Sequence, residues 1–197
     1  MARLILASAS PARRSLLESA GLRPEVMVSH VDEDLADGLP PAEAVDVLAR
    51  RKAQAVAGRV EPRHGLVVAC DSLLEFDGQA WGKAACPDEV VSRWTRLRGG
   101  SGRLHTGHVV MDVATGRVAA ETDTAVVHFG QPTDREIEAY ARTSESLEVA
   151  GPFTLEGRSA PWIDSIEGNQ GTITGISLPV LRRLLARLDV EIVDLWP

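Results

Sequence analysis

The chain has 197 residues, of which 44% are hydrophobic and 25% are charged, and its net charge is −7. This composition is typical of a globular protein, and the chain is long enough for one α/β domain with its own core. The acidic balance argues against a nucleic-acid backbone as the main partner, although a nucleotide needs only a local patch of positive charge. No apolar run approaches the roughly 20 residues of a membrane helix, and the first apolar run is too short for a signal peptide. We therefore expect a cytoplasmic protein without nucleic-acid or membrane partners.

The beginning of the chain predicts a strand that runs into the N-terminus of a helix. After the predicted strand 3–8, Ser10 is a favourable N-cap and Pro11 a favourable first helical residue. A capping box would place Glu or Gln three residues after the cap, but Arg13 holds that position, a cation at the positive end of the helix dipole. A bound anion would remove this conflict. With the hydroxyls of Ser8 and Ser10, the turn is therefore predicted to bind phosphate.

The rest of the chain alternates predicted helices and strands. This alternation, together with hairpins, indicates the α/β class with a mixed sheet. In chain order, we expect a strand at 25–29, a helix at 41–57, a buried strand at 66–70, a helix at 87–98, a hairpin of strands 104–113 and 118–129, a helix at 134–142, an irregular Gly-rich region at 144–177, a helix at 179–188 and a final strand at 191–193.

Two charged residues occupy unusual positions in this pattern. Lys52 lies four residues from both Leu48 and Val56, so it shares the predicted buried face of helix 41–57. Its ammonium either snorkels to water or reaches a cleft and binds phosphate. Asp71 ends the most hydrophobic strand, at the edge where α/β sheets bind ligands. It is either a turn or cap residue, or a group that orients a metal ion or accepts a proton.

The other polar candidates are less specific. Lys83 alone is typical of a surface lysine, and Glu33 of a solvated acidic loop. His105 and His108 are three residues apart, which puts them on opposite faces of a strand, so no metal-binding His pair is predicted. Taken together, the turn, two lysines and two carboxylates predict phosphoryl chemistry with Mg²⁺ or Mn²⁺ as cofactor. Because the sequence has neither a Walker A motif nor a kinase signature, hydrolysis is favoured over transfer.

These residues stand in the order of a known family, and the chain resembles the Maf family over nearly its whole length. Its opening, from Ser8 to Leu17, matches the family pattern S-x-S-x-x-R-x-x-L-L. The later matches follow in order: Asp32-Glu33, Leu48-Ala49, Lys52-Ala53, Asp71, Gly82-Lys83, Ala150-Gly151, Glu156-Gly157, Glu167-Gly168-Asn169 and Gly175-Ile176-Ser177-Leu178-Pro179.

The resemblance implies an elongated α/β fold like that of the inosine triphosphate pyrophosphatases, with one domain over 1–197 whose two lobes flank a central cleft. It implies a cytoplasmic pyrophosphatase that cuts canonical or modified nucleoside triphosphates between the α- and β-phosphates with Mg²⁺ or Mn²⁺, and it is compatible with a homodimer. Removal of modified nucleotides or arrest of cell division is the implied task. The alternative is a non-catalytic, nucleotide-sensing regulator of cell division or septum formation. The nearest enzymatic rival is a phosphatase that removes only the terminal phosphate.

The resemblance also implies roles for individual residues. Asp71 is the expected proton acceptor, and Asp71 and Glu33 are the expected metal ligands. Lys52, Lys83 and Glu33 are expected to act with Asp71 in catalysis. The expected substrate-binding residues are Ser8, Ser10 and Arg13.

Three positions bear on the choice of base. The branch of the family that takes canonical pyrimidines has Arg, Thr and Gln where this chain has Ala12, Ser72 and Glu156. The branch similar to 7-methyl-GTP pyrophosphatases has Trp, Gln and Glu there. Glu156 favours the second branch, since a carboxylate accepts hydrogen bonds from a guanine edge or from an N–H of another base. Ala12 and Ser72 match neither branch, so the base stays open.

Overall fold

The computed structural model describes residues 3–32, 38–61 and 65–197, and its strands join one mixed sheet. The predicted α/β class is confirmed. The strands are β1 (Arg3–Leu6), β2 (Glu25–Val26), β3 (Gly65–Phe76), β4 (Gln79–Trp81), β5 (Ser101–Asp112), β6 (Val118–Phe129) and β7 (Ile163–Glu167). The helices are α1 (Pro11–Ser19), α2 (Pro41–Ala57), α3 (Pro87–Leu97), α4 (Asp134–Ala141), α5 (Glu145–Glu148), α6 (Gln170–Thr174) and α7 (Leu178–Arg187), with 3₁₀ helices at Ala160–Trp162 and Ile192–Leu195.

The sheet is parallel on one side of β3 and antiparallel on the other. Its order is β2-β1-β3-β5-β6-β7, and β4 pairs with the far end of β3. Strands β2 and β3 run parallel to β1, whereas β5, β6 and β7 follow in antiparallel steps. Along one edge, β3 pairs with β1 as far as Val68 and with β4 from Leu74 onward. The stretch 69–73 lies between these two partners.

The prediction that a strand ends at Asp71 is wrong. Strand β3 continues to Phe76, because its more polar second half pairs with β5 as far as Glu75 and then turns back into β4. Asp71 therefore lies in the middle of β3, in the stretch just past the carboxyl end of β1. The change from apolar to polar residues near Asp71 therefore follows the point where β3 stops pairing with β1, and it does not coincide with the end of β3 itself.

Two other predictions need correction. The prediction of a final strand at 191–193 is wrong. Glu191 and Asp194 instead form a capping box at the start of the 3₁₀ helix Ile192–Leu195. The strand at 25–29 is reduced to Glu25–Val26 at the edge of the sheet. The Gly-rich region 144–177 contains α5, β7 and α6. The four helices predicted at 41–57, 87–98, 134–142 and 179–188 are confirmed to within one residue.

Residues of β3 alternate between the two faces of the sheet, as strand geometry requires. Leu66, Val68 and Cys70 pack in the core formed with α1 and α7, whereas Val67 and Ala69 pack against α2. Continuing this alternation by two residues places the side chain of Asp71 on the α2 face. The apolar core thus fixes which helix meets the carboxylate.

A second part of the core lies around the far end of β3. There Leu74 packs with the aromatic side chains of helices α3 and α4, and Trp94 makes edge-to-face contacts with Phe129, Tyr140 and Trp162. The proposal of one domain with two lobes over 1–197 stays a prediction. None of the helices in the described ranges is long and apolar enough to span a bilayer.

Candidate active site

A pocket of about 540 Å³ opens beside the stretch 69–73 of β3. This volume is typical of sites that enclose a small organic molecule. The structure brings most of the predicted site residues to its wall, while Glu33 lies outside the described residues and Glu156 is not part of the lining. The predicted residues that line the pocket are Ser8, Ser10, Ala12, Arg13, Lys52, Asp71, Ser72 and Lys83.

Lys52 and Asp71 form a buried ion pair at the pocket wall. Their relative exposures are only 8% and 5%, and the Lys52 ammonium contacts Oδ1 of Asp71. Of the two interpretations offered by the sequence, the structure therefore favours an ammonium inside the cleft over one that snorkels to water. A pair with so little exposure is costly to form from solvated ions, which favours a chemical role over a purely stabilising one.

Glycine at position 107 allows α2 to bring Lys52 this close. Gly107 lies directly opposite Asp71 in β5. A Cβ atom at this position would lie 2.3 Å from the carbonyl oxygen of Val45 in α2. Helix α2 therefore packs with its backbone against β5, and Lys52, two turns further along, reaches β3.

Cys70, which precedes Asp71, does not compete as a nucleophile. Its side chain points to the opposite face of the sheet and is fully buried. Burial raises the pKa of the Cys70 thiol to about 11. The thiol is therefore protonated at neutral pH, and the thiolate needed for covalent chemistry is absent.

The opening turn has the predicted capped geometry. Ser10 Oγ accepts a hydrogen bond from the Arg13 backbone N–H at 3.4 Å, and Ser8 Oγ accepts one from the Ser10 backbone N–H at 3.2 Å. Pro11 is the first helical residue. The N-cap prediction is confirmed, and the turn lies at the pocket.

The Arg13 guanidinium, a cation near the positive end of the helix dipole, is stabilised by hydrogen bonds that the sequence did not predict. Four of its N–H groups donate to neutral protein oxygens: Nε to Gly175 O at 2.9 Å, Nη1 to Cys70 O at 2.9 Å and Ser8 Oγ at 3.1 Å, and Nη2 to Ser72 Oγ at 3.0 Å. A guanidinium has five N–H donors, so one remains after these contacts. Arg13 is thus a fixed cation in the pocket wall, oriented by the protein itself.

Lys83 is the exposed counterpart of Arg13. It is exposed, lines the pocket, and makes no ion pair within the described ranges. The backbone before it is fixed, because the Gly82 carbonyl accepts hydrogen bonds from Arg93 Nη1 at 2.6 Å and from the Gly151 N–H at 3.2 Å. An exposed ammonium on a fixed backbone can reach a charged ligand.

The structure changes the interpretation of the predicted specificity residues. Glu156 is exposed and absent from the pocket lining, because its loop folds toward Glu145, whose carboxylate accepts the Arg158 backbone N–H at 3.0 Å. Ser72 lines the pocket, but its hydroxyl is engaged by Arg13. The lining contains another carboxylate, Glu148, which the sequence analysis missed for lack of any distinguishing local signal. Its apolar members include Leu104, Phe153 and Ile173.

Comparison with known proteins identifies the family of the chain. The family model described as Maf-like protein matches residues 3–188. The chain belongs to the Maf family. A nucleoside triphosphate pyrophosphatase of Streptomyces coelicolor is 54% identical to this Maf protein, over 98% of this chain and 94% of its own length. Proteins of the same name are 50% identical in Salinispora tropica, over 98% and 87% of the two chains, and 45% identical in Synechococcus elongatus, over 98% and 97%. The resemblance stated from the sequence is confirmed.

The donor set of the Maf pocket fits a divalent cation that arrives with a phosphate ligand. Within the described ranges, no cluster of three or more His, Cys, Asp or Glu side chains could hold a metal ion by itself. Mg²⁺ commonly uses only one or two carboxylates and completes its shell with water and substrate phosphates. Asp71, at the wall of a pocket that also carries cations and hydroxyls, fits this mode.

His108 anchors the segment that closes one side of the Maf pocket. As predicted, it lies on the sheet face opposite that of His105, which is held by Glu75 and Thr124. His108 Nε2 accepts the Ser177 backbone N–H at 2.8 Å. The hydrogen of the neutral ring is then on Nδ1, which has no partner among the described residues. Burial, reinforced by the nearby Arg13 charge, lowers the pKa of His108 to about 4.

This pKa predicts a specific loss of stability in acid. The folded pKa lies below the ordinary value of 6.5, so protonation favours the unfolded chain. The penalty is absent above about pH 6.5 and grows as the pH falls toward 4, reaching about 2 kcal/mol at pH 5. A His108→Gln variant keeps an acceptor for Ser177 but cannot become charged. Urea denaturation at pH 7 and pH 5 should show that the wild type loses about 2 kcal/mol more than this variant, and equal losses would contradict the prediction.

Proposed function

We propose that this Maf protein hydrolyses nucleoside triphosphates to nucleoside monophosphate and pyrophosphate. The observation that carries the proposal is the buried Lys52–Asp71 pair in a pocket that also presents Arg13, Lys83 and serine hydroxyls. Relatives named nucleoside triphosphate pyrophosphatase, at 45–54% identity over nearly the whole chain, support the same activity. A cytoplasmic location and a homodimer stay predictions from the sequence.

The triphosphate is bound by three cationic side chains of the pocket lining. Arg13 contributes a fixed cation beside the N-terminus of α1, where the helix dipole also favours an anion. Lys83 contributes an exposed ammonium, and Lys52 contributes a buried one next to Asp71. The base faces the apolar members of the lining, and Glu148 supplies a carboxylate to the same lining.

Asp71 accepts the proton of the attacking water. The water oxygen forms a bond to the α-phosphorus, the bond between the α-phosphorus and the bridging oxygen breaks, and pyrophosphate leaves with that oxygen and the electron pair. Lys52, paired with Asp71 before substrate binds, is shared with the phosphates once they enter, which makes the carboxylate available as a base. Asp71 would hold Mg²⁺ or Mn²⁺, with Glu33 as the second ligand implied by the family resemblance, and the ion would supply positive charge to the phosphate oxygens.

The direct test is a panel of canonical and modified nucleoside triphosphates, assayed with Mg²⁺ or Mn²⁺ and with chelator as control. The expected products are pyrophosphate and nucleoside monophosphate in equal amounts, lost on chelation. Orthophosphate and nucleoside diphosphate as products would instead show a phosphatase that removes only the terminal phosphate. Nucleotide binding by the wild type without any product would favour the regulator of cell division.

A further inference from the structure

A chain of hydroxyl groups connects Arg13 to the segment that follows the sheet. Arg13 Nη2 lies 3.0 Å from Ser72 Oγ, Ser72 Oγ lies 2.9 Å from Thr106 Oγ1, and Thr106 Oγ1 lies 2.7 Å from the carbonyl oxygen of Thr172. Thr106 itself is completely buried and does not line the pocket. It lies directly opposite Ser72 in β5. We call these four groups the hydroxyl relay.

The direction of every hydrogen bond in the hydroxyl relay is fixed. A backbone carbonyl only accepts, so the single hydroxyl hydrogen of Thr106 goes to Thr172 O. Thr106 Oγ1 must then accept the hydroxyl hydrogen of Ser72. Ser72 Oγ in turn accepts from Arg13 Nη2, which only donates. Hydrogen bonds aligned in one direction polarise and strengthen one another, so the relay holds the guanidinium in one orientation.

The hydroxyl relay also fixes the pocket wall that lies next to Arg13. Thr172 is in α6, and Ile173, Thr174 and Gly175 line the pocket directly after it. The Gly175 carbonyl accepts from Arg13 Nε at 2.9 Å, so the relay and this bond close a ring. Loss of the Thr106 hydroxyl would leave the Ser72 hydroxyl hydrogen and the Thr172 carbonyl without these partners.

We propose that Thr106 is a positioning residue for nucleotide hydrolysis, which acts through Ser72 and Thr172 to orient Arg13 toward the phosphates. This inference rests on the proposed function. It also assigns Ser72 to the support of Arg13 rather than to recognition of the base.

The test compares Thr106→Val, which removes the hydroxyl at nearly constant shape, with Thr106→Ser, which keeps it. Because small displacements of positioning groups reduce rates strongly, we expect Thr106→Val to lower kcat by about tenfold while KM changes less than about threefold. Thr106→Ser should retain kcat to within about twofold. A Thr106→Val enzyme with the wild-type kcat and only a lower Tm would overturn the proposal, since it would show a purely structural role.

Ser72→Ala interrupts the hydroxyl relay at its other hydroxyl group, and it replaces Thr106→Val in the test if that variant does not fold. If the two hydroxyls act as a unit, the double variant should lose no more kcat than the more impaired single variant. Fully additive losses would overturn the proposal.

A readout independent of turnover is the exchange of the Arg13 Nε–H with solvent, followed by NMR of the ligand-free protein. We expect slow exchange in the wild type and in Thr106→Ser, and faster exchange in Thr106→Val. Unchanged exchange in Thr106→Val would overturn the proposal. A wild type that releases no pyrophosphate would contradict the proposed function instead, and the Arg13 signal would still decide whether the relay orients the guanidinium.

Discussion

Asp71→Asn is expected to lower the rate of pyrophosphate release by about 10²–10⁴-fold, which is the usual effect of losing a positioned general base. The amide has nearly the shape of the carboxylate but cannot take up the proton of the attacking water. The rate should be measured at saturating nucleotide and metal ion, with pyrophosphate as the detected product. Release at the parent rate would show that another group is the base.

The same substitution also changes stability, because Asp71 neutralises a buried ammonium. Removing one partner of a buried pair outright costs about 3–5 kcal/mol, but Asn keeps a carbonyl acceptor for Lys52, so the loss should be smaller. The double variant Asp71→Asn/Lys52→Met removes both charges and serves as the stability control. It should be more stable than Asp71→Asn in urea denaturation, and both should show the reduced rate of pyrophosphate release. A single variant that is folded and shows this reduced rate would separate the chemical role from the structural one.

Gly107→Ala is expected to destabilise the fold and to impair catalysis through a single methyl group. The added Cβ would lie 2.3 Å from Val45 O and 2.6 Å from Val45 C, which are backbone atoms that cannot rotate away. Overpacking of this kind typically costs 1–3 kcal/mol. Helix α2 would have to move away from β5 and would carry Lys52 with it. A displacement near 1 Å can reduce a rate by about 10²-fold, so activity should fall in the protein that remains folded.

The matched control is Gly58→Ala at the end of the same helix. Gly58 has right-handed helical dihedral angles, and a Cβ there would be 3.6 Å from the nearest atom, the Gln54 carbonyl oxygen. Urea denaturation and nucleotide turnover should show that this variant stays close to the wild type. If Gly107→Ala were equally stable and active, the close packing of α2 on β5 would not be what places Lys52.

Elements with strong local signals were predicted well. The long helix α2 spans the predicted residues 41–57, and the helix predicted at 134–142 begins with a capping box between Thr133 and Glu136. The Ser10 cap and the sharing of a helix face by Lys52 and its apolar neighbours also follow from spacing alone. In each of these cases the interacting residues lie within a few positions of one another, so a short stretch of sequence is enough to identify both partners.

The parts that sequence reasoning missed depend on contacts between distant residues. The length of β3 is decided by pairing with β5 and β4, and not by its own hydrophobicity. Glu156 was assigned to the pocket because it stands in a matching motif, but the fold of its loop exposes it and brings Glu148 to the lining. Arg13 was predicted to need a bound anion as its partner. The sequence did not reveal its actual oxygen partners, at Cys70 and Gly175, because they lie 57 and 162 positions away.

The bond between Arg13 and Gly175 has a consequence for how the protein is made. A chain emerging from the ribosome presents the turn that carries Ser10 and Arg13 first, but the carbonyl that orients the guanidinium is synthesised 162 residues later. A nascent or prematurely terminated chain would therefore contain Lys52 and Asp71 without the carbonyl that completes the contacts of Arg13.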